Sequence, residues 1–310
     1  MKLSLSISFA FILSIVKSQS VSIDSIITSQ SLKYTVSALA HDSMKGRYTA
    51  LDETKNAAIF IANQFEKAGL NPVAGNDFYF SYYPLKFKYK DTTTLVEAIN
   101  VLGAIKGNKS ADSLVIFCAH YDHIGIGKTD GTFTKDSIFN GANDNASGVA
   151  LLIELAKYYA KEKNNKYTLL FIAFSGEELG LLGSAHTASH MNQSLIRAVI
   201  NFDMVGRSLT NRAQSCMVIA DNSKPLIKKL NTEIYPQKKF FITDKFPEEQ
   251  LFYRSDHYSF NQVANKIFFT ASSPTDRYYH TIDDEYKTIN FDFLLLNAKN
   301  IAIACKIFLK

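Results

Sequence analysis

The stretch Leu114-Val115-Ile116-Phe117-Cys118-Ala119-His120-Tyr121-Asp122 decides how this chain is read. Its first six residues are apolar without a break, as expected for a strand buried on both faces of a parallel sheet. An imidazole and a carboxylate then follow directly. The same arrangement recurs. Thr168 to Phe174 is a second apolar run, leading into Ser175-Gly176-Glu177-Glu178. Ala198 to Val205 is a third, carrying Asp203. A charged group entering from a buried strand is costly unless it is paired or bound to metal.

Helical patterns alternate with these runs. Residues 23–40 carry helical periodicity. Residues 52–69 form a clearer helix, with Asp52 as its expected cap, Ala58, Ile61, Ala62 and Phe65 on one face, Gly69 at its end and Pro72 just beyond. Residues 78–105 read as strands and loops, and 125–145 as a loop. Helices are expected over 147–160, 224–234 and 291–309, and a further strand over Lys266 to Thr270. This order predicts a single α/β domain with a central, mostly parallel mixed sheet flanked by helices on both faces. Ligands of such sheets bind beyond the carboxyl ends of the strands.

Composition is ordinary for a globular protein. The 310 residues are 46% hydrophobic and 20% charged, with a net charge of +5. The basic residues are scattered, so no nucleic-acid footprint is expected. Lys2 followed by an apolar run from Leu3 to Val16 and small residues near Ser18 has the layout of a secretory signal peptide. This gives residues 1–18 as signal peptide, 19–310 as the mature domain, no stable membrane insertion after cleavage, and a secreted or periplasmic location. Cys118, Cys216 and Cys305 form no disulfide framework. Cys118 reads as core, and a Cys216–Cys305 bridge stays open.

The candidate site gathers at one rim. His120, Glu178 and Asp203 follow the three apolar runs, Asp144 lies in Asn143-Asp144-Asn145-Ala146-Ser147-Gly148, and His280 lies in a loop before the last helix. Two imidazoles and three carboxylates offer nitrogen and oxygen but no thiolate, a set that fits zinc, with manganese or cobalt as substitutes. Five side chains exceed what one catalytic ion with an open position needs. They suit two ions sharing one carboxylate at about 3.5–4 Å separation.

With these residues in place, the chain resembles the M28 metallopeptidases, the co-catalytic zinc aminopeptidases related to bacterial and fungal leucine aminopeptidases. The matching segments are AHYDHIG (119–125), NGANDNASGVA (140–150), AFSGEELGLLGS (173–184), INFDMVGR (200–207) and YYHTIDDEYKTI (278–289), with MKGRYTA (44–50) and QFEKAGLNP (64–72) upstream. The resemblance implies the zinc exopeptidase fold and two Zn2+ per chain. It implies that His120 and Asp203 bind one zinc, Glu178 and His280 the other, and that Asp144 bridges them. It makes Glu177 the general base, has Asp122 hold the His120 ring, and places a cis peptide at Asp144–Asn145. Tyr279 is a candidate donor to the oxyanion. Arg254, Ser255, Asp256 and His257 resemble a segment near the substrate pocket. An apolar pocket is expected from loops around 207–215 and 240–258, where Phe240, Phe241, Phe246, Phe252 and Tyr253 cluster. No role is assigned to His123, His186 or His190.

The expected activity is therefore an aminopeptidase acting on peptides or proteins with a free N-terminus. Three other readings stay open: a single-zinc glutaminyl cyclase on the same fold, a non-enzymatic peptidase-like binding domain, and a carboxypeptidase or dipeptidase with the same metal chemistry.

Overall fold

The computed structural model describes residues 22–73, 75–89, 92–127, 137–209, 214–234 and 239–310. The expected signal segment lies outside the described residues. Eleven strands follow in chain order: β1 (Asn71–Pro72), β2 (Phe80–Tyr89), β3 (Thr92–Ile105), β4 (Ser110–His120), β5 (Gly125–Ile126), β6 (Ile138–Phe139), β7 (Tyr167–Phe174), β8 (Ile196–Phe202), β9 (Cys216–Ala220), β10 (Phe241–Ile242) and β11 (Lys266–Thr270). Nine of them make one mixed sheet. Its order is β1-β3-β7-β4-β8-β11-β9-β10, with β2 paired to β3, while β5 and β6 form a separate ribbon.

The parallel part of the sheet positions the site. β4 runs parallel to β7 and β8, and β8 runs parallel to β11. Four carboxyl ends therefore meet at one edge. The register sets His120 opposite Phe174 and Cys118 opposite Asn201. β3 and β9 pair antiparallel to β7 and β11 on either flank.

Side chains alternate across β4, and each face meets its own layer. Val115, Phe117 and Ala119 join the larger core, with residues of α2 (Ser29–Leu39), α3 (Glu53–Ala68), α4 (Gly148–Glu162), α6 (Ser223–Ile234) and α7 (Phe291–Ala304). Ile116 and Cys118 join a smaller core under α5 (Leu182–His190) and the turn carrying Phe260 and Val263. The two covers are thus unequal, five helices against one helix and irregular chain.

Several local expectations change. The segment 23–40 is not one helix. A short α1 (Ile23–Ile26) stops, and Thr28 restarts the chain as N-cap of α2, its side chain accepting from the Ser31 N–H. Asp52 does not cap α3. It lies in helical backbone conformation and pairs with Lys55 at 2.9 Å. Gly69 does end that helix at φ +82°, where the left-handed backbone costs glycine little. The strand β9 and the helix α5 are additions to the sequence reading. Cys118, Cys216 and Cys305 are all buried free thiols, so the open Cys216–Cys305 bridge is not formed.

Phe117 sits at the centre, stacked on Phe171 at 5.3 Å and on Phe202 at 6.3 Å between ring centroids. Its replacement leaves a cavity that rigid neighbouring strands fill poorly. Phe117→Ala is expected to cost about 3–5 kcal/mol of folding stability, measured by urea unfolding of zinc-free protein. A loss under about 1 kcal/mol would show that this layer is not the packed centre.

Candidate metal centre

Short backbone features place each candidate side chain. His120 is the last residue of β4. Asp203 follows β8 directly, and its N–H donates to the Phe269 carbonyl of β11 at 3.1 Å. Glu177 and Glu178 follow β7 in a turn opened by Gly176 at φ +71°. Asp144 lies in the tight turn Ala142–Ser147 ahead of α4, and the Asp144–Asn145 peptide is cis. His280 adopts φ +54°, a left-handed conformation uncommon outside glycine and of the kind found at functional sites.

These five side chains converge. His120 Nε2 lies 3.4 Å from Asp144 Oδ1 and 3.5 Å from Asp203 Oδ1. His280 Nε2 lies 3.3 Å from Asp144 Oδ2 and 3.2 Å from Glu178 Oε2. Direct charge-assisted hydrogen bonds are shorter, about 2.7–2.9 Å. Two donors sharing a tetrahedral zinc, each at about 2.0–2.1 Å, stand roughly 3.3 Å apart. The spacing suits side chains that face metal rather than one another. The buried Asp203 Oδ1 also has no hydrogen-bond partner, as expected of an atom reserved for a metal.

The oxygens divide cleanly. Asp203 Oδ2 accepts from Ser255 Oγ at 2.9 Å, leaving Oδ1 toward His120. Glu178 Oε1 faces His123 Nδ1 at 2.8 Å, leaving Oε2 toward His280. Asp144 alone directs one oxygen to each of the two imidazoles. Two groups could therefore hold an ion: His120, Asp144 and Asp203, and Asp144, Glu178 and His123, with His280 facing the same two carboxylates of the second group.

Charge in this pocket is balanced by the imidazoles. Burial disfavours a proton on His120, but Glu177, Asp203, Asp122 and Asp144 outweigh it and raise its pKa well above the ordinary value. His280 is pushed up to about 10, burial again opposing and Asp144 and Glu178 dominating. Burial would raise the Asp144 carboxyl, yet its contacts with His120 and His280 hold it well below the usual range. Glu178 falls to about 2, with burial and Asp144 opposing and His123 and His280 prevailing. Glu177 goes the other way. Burial, then Asp203, Asp256 and Glu178, raise its carboxyl well above the usual range against the pull of His120.

A second layer of groups was not legible in the sequence. Asp284 accepts from the N–H groups of Asn143 and Asp144 at 3.0 Å. Arg207 donates to Asp284 at 2.9 Å and to Asp276. Asn145 donates to the Phe202 carbonyl at 2.9 Å, tying the Asp144 turn to β8. Arg47 is fully buried and donates to the carbonyls of Leu39, Tyr121, Asn140 and Gly141, joining the end of β4 to the approach of that turn. Asp122 differs from expectation in detail. Its carboxylate Oδ1 is 3.7 Å from His120 Nδ1, and the nearer partner of the ring is the Asp122 backbone carbonyl at 3.3 Å. The Asp122 carboxylate instead accepts from Thr49 Oγ1 at 2.9 Å and from the Glu177 N–H at 3.2 Å.

The cleft over these groups has a volume of about 30 Å3, and Met204, Leu251, Arg254, Phe268, Ser273 and Tyr279 complete its lining. The loop 240–258 does line the cleft, through Leu251 and Arg254, but not through its phenylalanines. Phe240 and Phe241 are core residues against Phe293 and Phe269. Phe246 and Phe252 pack on the cluster around Leu251 and Phe268, and residues 210–213 lie outside the described residues. His257 is likewise core, stacked on Phe268 at 5.1 Å, and burial lowers it to about 3. Tyr279 stacks on His280 at 3.8 Å, with burial and the nearby carboxylates raising its hydroxyl pKa.

A mixed sheet with this metal-ligand edge defines a zinc exopeptidase architecture, and solved structures share it. The structure of a zinc aminopeptidase from Bacillus subtilis superposes with a TM-score of 0.69 at 18% identity, covering 92% of this chain and 95% of that one. Residues 100–304 match the profile of peptidase family M28, and the chain belongs to that family. A probable zinc metalloprotease of Pyricularia oryzae is 36% identical over 121 residues, 38% of this chain and 23% of its own length. An aminopeptidase of Bacillus subtilis, YwaD, is 37% identical over 200 residues, 62% of this chain and 40% of its own. The matched stretch thus spans about a quarter of the fungal relative and two fifths of the bacterial one.

Zinc ligands must be neutral imidazoles, whereas in the metal-free protein the surrounding carboxylates raise His120 and push His280 up to about 10. Metal uptake at pH 7 is therefore expected to release protons, and zinc affinity is expected to fall as pH falls. Calorimetry in buffers of different ionisation enthalpy measures this directly. Release near zero would contradict the assignment of both rings as ligands.

Proposed function

We propose that this chain is a secreted di-zinc exopeptidase that removes N-terminal residues from peptides. The observation that carries the two-ion reading is Asp144, whose two oxygens face two different imidazoles at 3.4 and 3.3 Å. His120 and Asp203 hold one ion and Glu178 and His280 the other, with Asp144 shared. Bound there, the ions supply Lewis acidity, polarising a carbonyl and lowering the pKa of a water from about 15.7 toward about 7.

The chain's own groups handle the protons. Glu177 lines the cleft beside Glu178 and is placed to take a proton from the attacking water and pass it to the leaving amine. Asp122 fixes the backbone N–H of Glu177, and Thr49 in turn fixes both Asp122 and the Gly176 N–H. The Tyr279 hydroxyl keeps its proton across the neutral range and serves as donor to the developing oxyanion.

The end of the peptide that is read rests on likeness. The Bacillus relative is named an aminopeptidase, and the superposed structure is a zinc aminopeptidase. Secretion rests on the N-terminal sequence pattern. Among the described residues no helix is long and apolar enough to cross a membrane.

Two experiments test the proposal. A panel of free and N-terminally blocked peptides, with zinc quantified in the same sample, is expected to show cleavage of free peptides only and two zinc ions per chain. Cleavage confined to blocked peptides, or pyroglutamate formation with one zinc, would overturn it. Glu177→Gln is expected to keep its zinc and lose about 10²–10⁴-fold in kcat. A zinc-loaded variant turning over near the wild-type rate would remove Glu177 from the role of base.

A further inference from the structure

His123 stands outside the ligand set, yet it lies closer to a ligand carboxylate than either metal-facing imidazole does. Its side chain is fully buried. Nδ1 is 2.8 Å from Glu178 Oε1 and 3.9 Å from Asp144 Oδ2. The ring is seated by its surroundings. A Cβ on Gly141 would meet His123 ring atoms at 2.6 Å, so only glycine leaves this space. The ring also packs edge-on against His280, with 5.7 Å between centroids.

Resting on the two-ion reading, we propose that His123 is a positioning residue. Its Nδ1–H donates to Glu178 Oε1 and commits Oε2 to the second ion. His123, Asp144 and Glu178 also form a group that could hold an ion. The short contact of His123 with Glu178 favours a hydrogen bond between the two side chains over a shared place on one ion. The 2.8 Å contact has the length of a charge-assisted hydrogen bond. The device parallels Ser255, which occupies Oδ2 of Asp203 and leaves Oδ1 to the first ion. Each terminal carboxylate thus has one oxygen held and one free, and Glu178 would be left a single oxygen for the ion.

The test compares wild type, His123→Ala and His123→Asn, whose carboxamide nitrogen stands near the position of Nδ1. Zinc affinity at each site is measured by competition with a chelator, with circular dichroism on the same samples. His123→Ala is expected to keep the first ion and to bind the second about 10–100-fold more weakly. His123→Asn is expected to recover most of that loss. Equal affinity for the second ion in wild type and His123→Ala would overturn the proposal, as would an Asn variant no better than Ala.

Cadmium-loaded wild type with isotopically labelled histidine adds a reading that does not depend on variants folding. Metal–nitrogen scalar coupling is expected for His120 and His280 and not for His123. Coupling at His123 would make it a ligand and overturn the positioning role. A wild type that takes only one zinc would instead remove the second site itself, overturning the two-ion function and this role with it.

Discussion

Four carboxylates and two imidazoles share the edge of one sheet, largely out of water. Like charges this close repel strongly where the dielectric is low. The rest of the structure answers that constraint. Parallel pairing of β4, β7, β8 and β11 brings the groups together at their strand ends. The imidazoles of His120, His123 and His280 hold the Asp144 and Glu178 carboxyls below their usual range. Zinc ions would deliver more positive charge to the same points. A buried acidic cluster that is stable in one form only when cations are supplied is a metal site by its own electrostatics.

Geometry then distributes the ligands. Ser255 holds one oxygen of Asp203, and His123 faces one oxygen of Glu178, while both oxygens of Asp144 stay directed into the site. The Asp144 turn keeps that orientation because its N–H groups are fixed by Asp284, itself paired with Arg207. Asn145 ties the same turn to the end of β8. Asp203, immediately beyond β8, and Asp144 are thereby locked to one another through the backbone, which is what a shared carboxylate requires.

The legible part of the sequence was the part written locally. Apolar runs ending in His120, before Glu178 and beside Asp203 marked both strands and ligand positions, since a buried strand must be apolar and its end must leave the core. The helix α3 was readable from its face and its terminal Gly69, although Asp52 went to Lys55 rather than to the helix end. What stayed hidden depends on contacts between distant residues. Asp284 acts on a turn 140 positions away, and Arg47 reaches carbonyls 74 to 94 positions downstream. Ser255 and His123 both lie in segments that resemble the family, yet their contacts with Asp203 and Glu178 exist only once the strands assemble. The aromatic cluster misled for the opposite reason. Phenylalanine suits a pocket wall and a core equally, and Phe240 and Phe241 went to the core.

The central claim is that Asp144 is shared by two ions. Diffraction from zinc-loaded crystals at the zinc absorption edge addresses it directly. Two anomalous peaks are expected about 3.5–4 Å apart, one beside His120 and Asp203, the other beside Glu178 and His280, with a carboxylate oxygen of Asp144 on each. A single peak, or two peaks with Asp144 bound to only one of them, would contradict the account.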